Sequence, residues 1–237
     1  EAARDALGGT GSGSIDAVYF ASTTLPFQDR QNAGIIAEAL HLGSELLTMD
    51  VAGSQRAGTT ALTAALKAAA SGDRIIVAAS EKRRTKAASP IELTAGDGAG
   101  ALVIAEGDGA AKLLGRATHA VDFVDHYRGQ DEAFDYVWEE RWIRDEGYSG
   151  MIGAALTDGF AALGVTGADI DRFIVPITAR GVAEGLAKKA AIRAEAVADR
   201  LGDSVGDSGV AHPFLLLAAA LLLSRAFTHT GIFVRSR

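Results

Sequence analysis

Two turns rich in small residues carry the side chains of this chain that are best suited to chemistry. Residues 53–56 read Gly-Ser-Gln-Arg, and residues 206–209 read Gly-Asp-Ser-Gly. The amide of Gln55 can donate a hydrogen bond to a carbonyl oxygen, and the carboxylate of Asp207 can act as a base. His212, which follows the second turn, is a candidate acid/base group. We therefore take Gln55, Asp207 and His212 as candidate catalytic residues.

Both turns also have purely structural interpretations. Ser54 could serve as a hydroxyl nucleophile, but a turn serine that is hydrogen-bonded to the backbone is the more common case. His212 precedes Pro213, a residue type favoured at the start of a helix, so capping is the alternative to acid/base work. The chain contains no cysteine, which excludes disulfides and thiolate chemistry within it.

Each turn opens a helix of small and apolar residues. Residues 57–70 are rich in alanine, and residues 213–223 are almost entirely alanine and leucine after Pro213 and Phe214. Short apolar runs predict strands, and these alternate with predicted helices, which is typical of strands buried on both faces. The strands are predicted at 17–20, 74–78, 99–105 and 172–175, and further helices at 31–40 and 181–191.

An internal repeat relates the two halves of the chain. The pair Ile15-Asp16 matches Ile170-Asp171 at an offset of 155, and Val51 matches Val205 at an offset of 154. The first pair follows an alanine-rich helix and a turn and precedes an apolar strand, and the second pair lies in a Gly/Ser turn that opens a buried helix. We therefore predict an α/β fold of five layers, αβαβα, with two pseudo-repeated halves. The two small-residue helices would pack together centrally and bring their N-terminal turns into one cleft.

The predicted halves are residues 1–115 and residues 116–237, the second with an insertion at 130–150. Within the insertion, Trp138 and Trp142 are four residues apart, a spacing that predicts one helical face. These tryptophans could pack against the body of the protein. They could equally form a lid or a partner-binding surface, because tryptophan is enriched at such contacts.

The composition limits the classes of partner. The 237-residue chain has a formal net charge of −7 at pH 7, so nothing favours nucleic acid as a partner. The local basic run Lys82-Arg83-Arg84-Lys86 is either a solvated loop or a patch for an anionic phosphate tail. The apolar run at 213–223 is shorter than the roughly 20 residues that cross a bilayer. We expect a soluble, cytoplasmic protein without a membrane partner.

Three segments together resemble the thiolase superfamily. They are DVAGSQRAGTTAL (50–62), TAGDGAGALVI (94–104) and SVGDSGVAHPFLLLAAAL (204–221). The most similar branches are the type III ketoacyl-carrier-protein synthases and the hydroxymethylglutaryl-CoA synthase-like proteins. The resemblance runs from residue 1 to about residue 223, with the family's first strand missing before Glu1. A short strand predicted at 231–234 does not align with the family.

The resemblance implies an active site at the turn of residues 53–56, which we call the elbow, but one whose usual residues are substituted. Condensing members use a Cys where this chain has Gln55, a His where it has Ile177, and an Asn where it has Asp207. The acid/base Glu of the hydroxymethylglutaryl-CoA branch would fall near Thr23. Because Gln55 cannot form a thioester, ordinary ping-pong Claisen condensation is not expected of this chain alone. The candidate substrate-binding residues are Ser54, Thr23, Ile177 and Gly209.

Two main functions follow from the resemblance. In the first, the chain binds acyl-CoA within a multi-subunit complex that makes or breaks carbon–carbon bonds. It would form a homodimer, or a heterodimer with a thiolase-fold partner, and a zinc-ribbon/OB-fold partner is also implied. In the second, it is a stand-alone retro-aldolase or decarboxylase that works without a covalent intermediate. In both, a coenzyme A thioester is the substrate, and no cofactor or metal is expected. A third, weaker alternative is an acyl-CoA binder with no reaction.

Overall fold

The computed structural model describes residues 1–8 and 15–226, with side chains described as far as residue 222. The predicted strand at 231–234 lies outside the described residues. The helices are α1 (Ala2–Leu7), α2 (Asn32–Ala39), α3 (Ala57–Ala69), α4 (Glu140–Trp142), α5 (Gly153–Leu163), α6 (Val182–Lys189) and α7 (His212–Ala226). A π-helix spans Ile143–Ile152, and 3-10 turns span Gly167–Asp169, Ala194–Ala196 and Gly209–Ala211. The strands are β1 (Ala17–Ala21), β2 (Leu47–Val51), β3 (Ile75–Glu81), β4 (Gly98–Ile104), β5 (His126–Tyr127) and β6 (Tyr136–Val137).

The chain divides into two compact units that are discontinuous in sequence. The first unit comprises Glu1–Arg83, Ala95–Gly107 and Ser204–Ala218. The second unit comprises Arg84–Thr94, Asp108–Asp203 and Ala219–Arg237. Residues 204–218 of the predicted second half belong to the first unit, and residues 84–94 and 108–115 of the predicted first half belong to the second unit. Both small-residue turns therefore belong to the same unit.

A four-stranded sheet in the order β2-β1-β3-β4 forms the centre of the first unit. Strands β1, β2 and β3 are parallel, and β4 runs antiparallel to β3. Side chains alternate between the faces. Tyr19 and Val77 pack in a cluster with the alanines of α3, whereas Val18 and Ile76 pack in a cluster with buried residues of α1 and α2. The prediction of strands buried on both faces is confirmed for β1 and β3.

Small residues let α3 lie close to the segment that opens α7. The buried face of α3 repeats every four residues as Ala57, Ala61, Ala65 and Ala69. A Cβ placed on Gly58 would lie 2.5 Å from the Val210 carbonyl oxygen and 3.1 Å from the Phe214 ring. In the facing strand β4, a Cβ on Gly100 would lie 2.7 Å from the Phe214 Cβ. The predicted close approach of the two helices is therefore present.

The core of the second unit forms around α6. Val182, Ala183, Leu186 and Ala187 of this helix pack with Phe173 and neighbouring apolar residues. The strand predicted at 172–175 is reduced to one parallel bridge, between Phe173 and Val197. Phe173 donates its N–H to the Ala196 carbonyl and accepts from the Ala198 N–H. A continuous apolar run becomes a strand only where a neighbouring strand runs alongside it, and here the described chain supplies one paired residue.

The prediction that Trp138 and Trp142 share one helical face is wrong. Helix α4 begins only at Glu140, because the Glu139 carboxylate accepts from the Arg141 and Trp142 N–H groups as an N-cap. Trp138 precedes this cap and donates its N–H to the Asp125 carbonyl, beside the β5–β6 hairpin.

The contact between α3 and the start of α7 predicts a stability difference between two helical glycines. Gly58→Ala places a methyl group against backbone, so we expect it to lower the free energy of unfolding by about 1–3 kcal/mol. Gly34→Ala in α2 is the matched control, because its Cβ meets only the Gln31 side chain, at 3.9 Å. That change should be neutral or stabilise by up to about 1 kcal/mol. Urea unfolding of both variants checks this, and equal midpoints would contradict the close packing.

Candidate functional site

The carboxyl ends of three parallel strands meet at one edge of the first unit's sheet. Residues 22–24 follow β1, residues 52–56 follow β2, and Glu81 is the last residue of β3. In open α/β sheets, ligands bind outside the carboxyl ends of the strands. The two turns singled out by the sequence lie in this unit, so this edge is the candidate site.

Glu81 is the most buried charged residue at this edge, with 2% of its surface exposed. Three neighbouring residues after β1 donate to its carboxylate: Ser22 Oγ at 3.5 Å, Thr23 Oγ1 at 3.0 Å and Thr24 Oγ1 at 2.6 Å. The Thr23 N–H adds a contact at 3.4 Å. A buried carboxylate is stable only when its oxygens are hydrogen-bonded, and these donors meet that need.

The second turn is connected to the same carboxylate. The Val210 N–H points to Glu81 Oε2 at 3.5 Å, and Gly209 has a positive φ of 51°. A Cβ on Gly209 would lie 3.0 Å from the Glu81 Cγ. The close approach of the backbone to Glu81 therefore requires glycine at position 209. Gly209 thus has a structural role in addition to its predicted contact with substrate.

The elbow between β2 and α3 is a tight, partly exposed turn. Gly53 has a φ of 87°, the left-handed region that favours glycine. Ser54 Oγ accepts from the Arg56 N–H at 3.0 Å, as expected of a turn serine. Gln55 is half-buried and lies two residues before α3 begins at Ala57.

The turn at 206–209 is held by the glycine-rich segment before β4. Asp207 is half-buried; its Oδ1 accepts from the Gly209 N–H at 2.9 Å, and its carbonyl accepts from the Gly96 N–H at 2.9 Å. A Cβ on Gly96 would lie 1.8 Å from the Val205 carbonyl oxygen, so only glycine fits there. The Asp207 carboxylate therefore has a fixed orientation.

His212 lies inside the core. It is 1% exposed, and its Nδ1 is 3.2 Å from the Oγ of Ser208, which is itself fully buried. This burial supports the structural interpretation of His212 as the first residue of α7. Its catalytic role stays a prediction.

Ile177 belongs to the second unit, where it is buried among the apolar residues packed on α6. The other six predicted residues, Thr23, Ser54, Gln55, Asp207, Gly209 and His212, all belong to the first unit. Thr23 directly contacts the Glu81 carboxylate, which sequence reasoning did not single out. The available signal was an acidic residue ending an apolar strand, directly before a basic run.

The described residues contain neither a cluster of metal-binding side chains nor a helix that could span a membrane. They hold no group of three or more His, Cys, Asp or Glu side chains that could bind a metal ion. No helix within the described part of the chain is long and apolar enough to cross a membrane.

Relatives with similar sequences are hydroxymethylglutaryl-CoA synthases. The protein from Pyrococcus horikoshii is 28% identical over 177 residues, which is 72% of this chain and 50% of the relative. The chain spans between 35% and 50% of the length of the curated relatives it matches. No family model matches the chain.

Solved structures show the same fold. The 3-oxoacyl-(acyl carrier protein) synthase III of Pseudomonas aeruginosa matches with a TM-score of 0.77 and 22% identity, over 94% of this chain and 73% of that one. A hydroxymethylglutaryl-CoA synthase complexed with CoA matches with a TM-score of 0.76 and 17% identity, over 94% and 60%. The α/β fold is therefore thiolase-like, and the similar sequences are those of hydroxymethylglutaryl-CoA synthases.

Proposed function

We propose that this chain is a thiolase-fold subunit that binds an acyl-CoA thioester at the carboxyl edge of β1–β3. It acts within a multi-subunit complex that makes or breaks a carbon–carbon bond. The observation that carries this proposal is the elbow itself: β2 leads through a tight turn into α3, and this chain has Gln55 at the place where the resemblance puts the nucleophilic Cys. The site keeps a polar group for the thioester and lacks the group that would take the acyl chain.

Gln55 is suited to hold a carbonyl oxygen. Its amide donates hydrogen bonds, and the N-terminus of α3 adds a partial positive charge at the same place. Both would stabilise negative charge that develops on a thioester oxygen. Neither replaces a thiolate, so a covalent acyl intermediate would need a partner subunit.

The neighbouring charges favour a coenzyme A thioester. Lys82 and Arg83 directly follow Glu81 at the end of β3, and cations of this kind bind phosphate oxygens. The solved structure with CoA is a hydroxymethylglutaryl-CoA synthase, the same class of protein as the sequence relatives. CoA thioesters are therefore the substrates we would test.

The sheet offers a surface for assembly. Among the described strands, β2 pairs only with β1 and forms one edge of the sheet. An edge strand can pair with a strand of another chain. This supports a homodimer or a heterodimer with a thiolase-fold partner, and a zinc-ribbon/OB-fold partner would be a further component.

A stand-alone retro-aldolase or decarboxylase is the second candidate. It is favoured by Asp207, whose carboxylate is half-buried and oriented by the Gly209 N–H, as a general base requires. Burial of His212 gives this alternative no further support.

The two functions differ in what purifies with the chain. We expect native purification to yield a Cys-containing thiolase-fold partner or a zinc-ribbon partner, and thioester turnover to require it. A homodimer that cleaves a hydroxyacyl-CoA without a partner, and loses that activity on Asp207→Asn, would replace the proposal with the second candidate.

The elbow geometry can be tested by introducing a thiol. Because the chain has no cysteine, Gln55→Cys contains a single thiol. We expect its pKa to lie below the usual value of about 8.5, since it sits at the N-terminus of α3. Ser71→Cys, just past the other end of the same helix, is the matched control and should show no such lowering. The rate of iodoacetamide alkylation as a function of pH gives the thiol pKa of each variant. Identical profiles would contradict the placement of residue 55 at the N-terminus of α3.

Replacement of Glu81 should lower both the stability of the chain and its affinity for acetyl-CoA. Glu81→Gln turns an amide N–H₂ toward hydroxyl and N–H donors, so we expect about 1–3 kcal/mol lower free energy of unfolding. Residues 22–24 would lose their anchor, and calorimetry should show weaker binding of acetyl-CoA. The exposed Glu45→Gln is the control and should change neither quantity. Unchanged stability of Glu81→Gln would show that the carboxylate is not required.

A further inference from the structure

An aromatic groove lies on the second unit, within residues 122–142. Its volume is about 420 Å³, and it is lined by Asp122, Phe123, Val124, Tyr127, Trp138 and Trp142. Phe123 and Trp142 stack at 5.8 Å between ring centroids. Both tryptophans are 46% exposed and Tyr127 is 52% exposed. Large aromatic rings left this exposed around a concave surface are a mark of an interaction site.

The groove is built on fixed backbone. A Cβ on Gly147 in the π-helix would lie 2.8 Å from the Phe123 ring, so this ring rests directly on the helix. On the hairpin side, the backbone N–H of Trp138 donates to the Asp125 carbonyl, and the Tyr136 ring packs edge-on against the Trp138 ring. The rings are therefore held in place before any partner binds, which lowers the entropy cost of binding.

The segment that carries the groove is strongly acidic. Residues 121–146 contain nine acidic residues and three arginines, a net charge of −6 out of −7 for the whole chain. Two of the arginines already pair with local carboxylates, Arg128 with Asp135 and Arg144 with Asp145. Burial raises the pKa of Asp125, but its hydrogen bonds with His126 outweigh this and hold the pKa below the usual value, so this carboxylate stays ionised.

We infer that this groove binds a basic segment of a partner polypeptide, with an arginine side chain seated on the tryptophan rings beside Asp122. A guanidinium stacks on aromatic faces and pairs with a carboxylate at the same time. The inference rests on the proposed assembly and specifies that one partner in it carries an exposed, arginine-containing basic segment.

Charge complementarity selects this occupant over others. A second copy that presented the same segment would bring its net charge of −6 against this one, which is repulsive. An anionic lipid surface would be repelled for the same reason.

The chain's two tryptophans both line the groove, so intrinsic fluorescence reports on it directly. The probe is a blocked peptide, Gly-Arg-Gly-Arg-Gly, compared with Gly-Gln-Gly-Gln-Gly. We expect the arginine peptide alone to change the tryptophan emission, with an affinity that falls as salt is raised. Asp122→Asn and Trp138→Ala should each weaken binding roughly five- to tenfold. Phe134→Ala, exposed in the same segment but outside the groove lining, should bind like the parent.

Three results would overturn the inference: no emission change with the arginine peptide, an equal change with the glutamine peptide, or unchanged affinity in both groove variants. Circular dichroism of each variant shows whether it is folded. Calorimetry with acetyl-CoA on the same samples separates the two proposals. A chain that binds acetyl-CoA but not the peptide refutes only the groove, and one that binds the peptide but not acetyl-CoA refutes only the thioester site.

Discussion

A single buried carboxylate organises the carboxyl edge of the sheet. Glu81 takes hydrogen bonds from the segment after β1 and from the segment that opens α7, so it joins parts of the chain that are far apart in sequence. A charge removed from water tolerates little movement of its donors, since each lost hydrogen bond leaves a desolvated oxygen. The positions of residues 22–24 and of the turn at 206–209 therefore depend on the hydrogen bonds of this one side chain.

Glycine and alanine make that arrangement sterically feasible. Gly209 brings its backbone against Glu81, and Gly96 brings the segment before β4 against Val205. Gly58 does the same between α3 and Val210. The small residues that stand out in the sequence thus mark close approaches of backbone around the site. Their number reflects geometry more than flexibility.

The sequence predicts these close approaches because small residues concentrated at a strand-to-helix turn leave room for a second segment of backbone. It also predicts strands β1 and β3, because apolar residues on both faces require cover on both sides. Glu81 escapes such reasoning: its donors lie 58 and 129 residues away, and an acidic residue before a basic run looks the same when exposed. The prediction that Trp138 lies in a helix fails for a related reason. The N-cap at Glu139 sets where the helix begins, and the Trp138 N–H is bound by the Asp125 carbonyl, which lies 13 residues earlier in the chain.

The alanine face of α3 has a consequence for how the site can change. Alanine has no side-chain rotamers, so ordering this layer costs almost no side-chain entropy. For the same reason it has no rotamer through which to absorb a larger neighbour. Added volume at Ala61 or Ala65, both fully buried, has to be met by displacement of the whole helix. The elbow lies at the N-terminus of that helix. A change of volume in the interior of the first unit would therefore also displace Gln55.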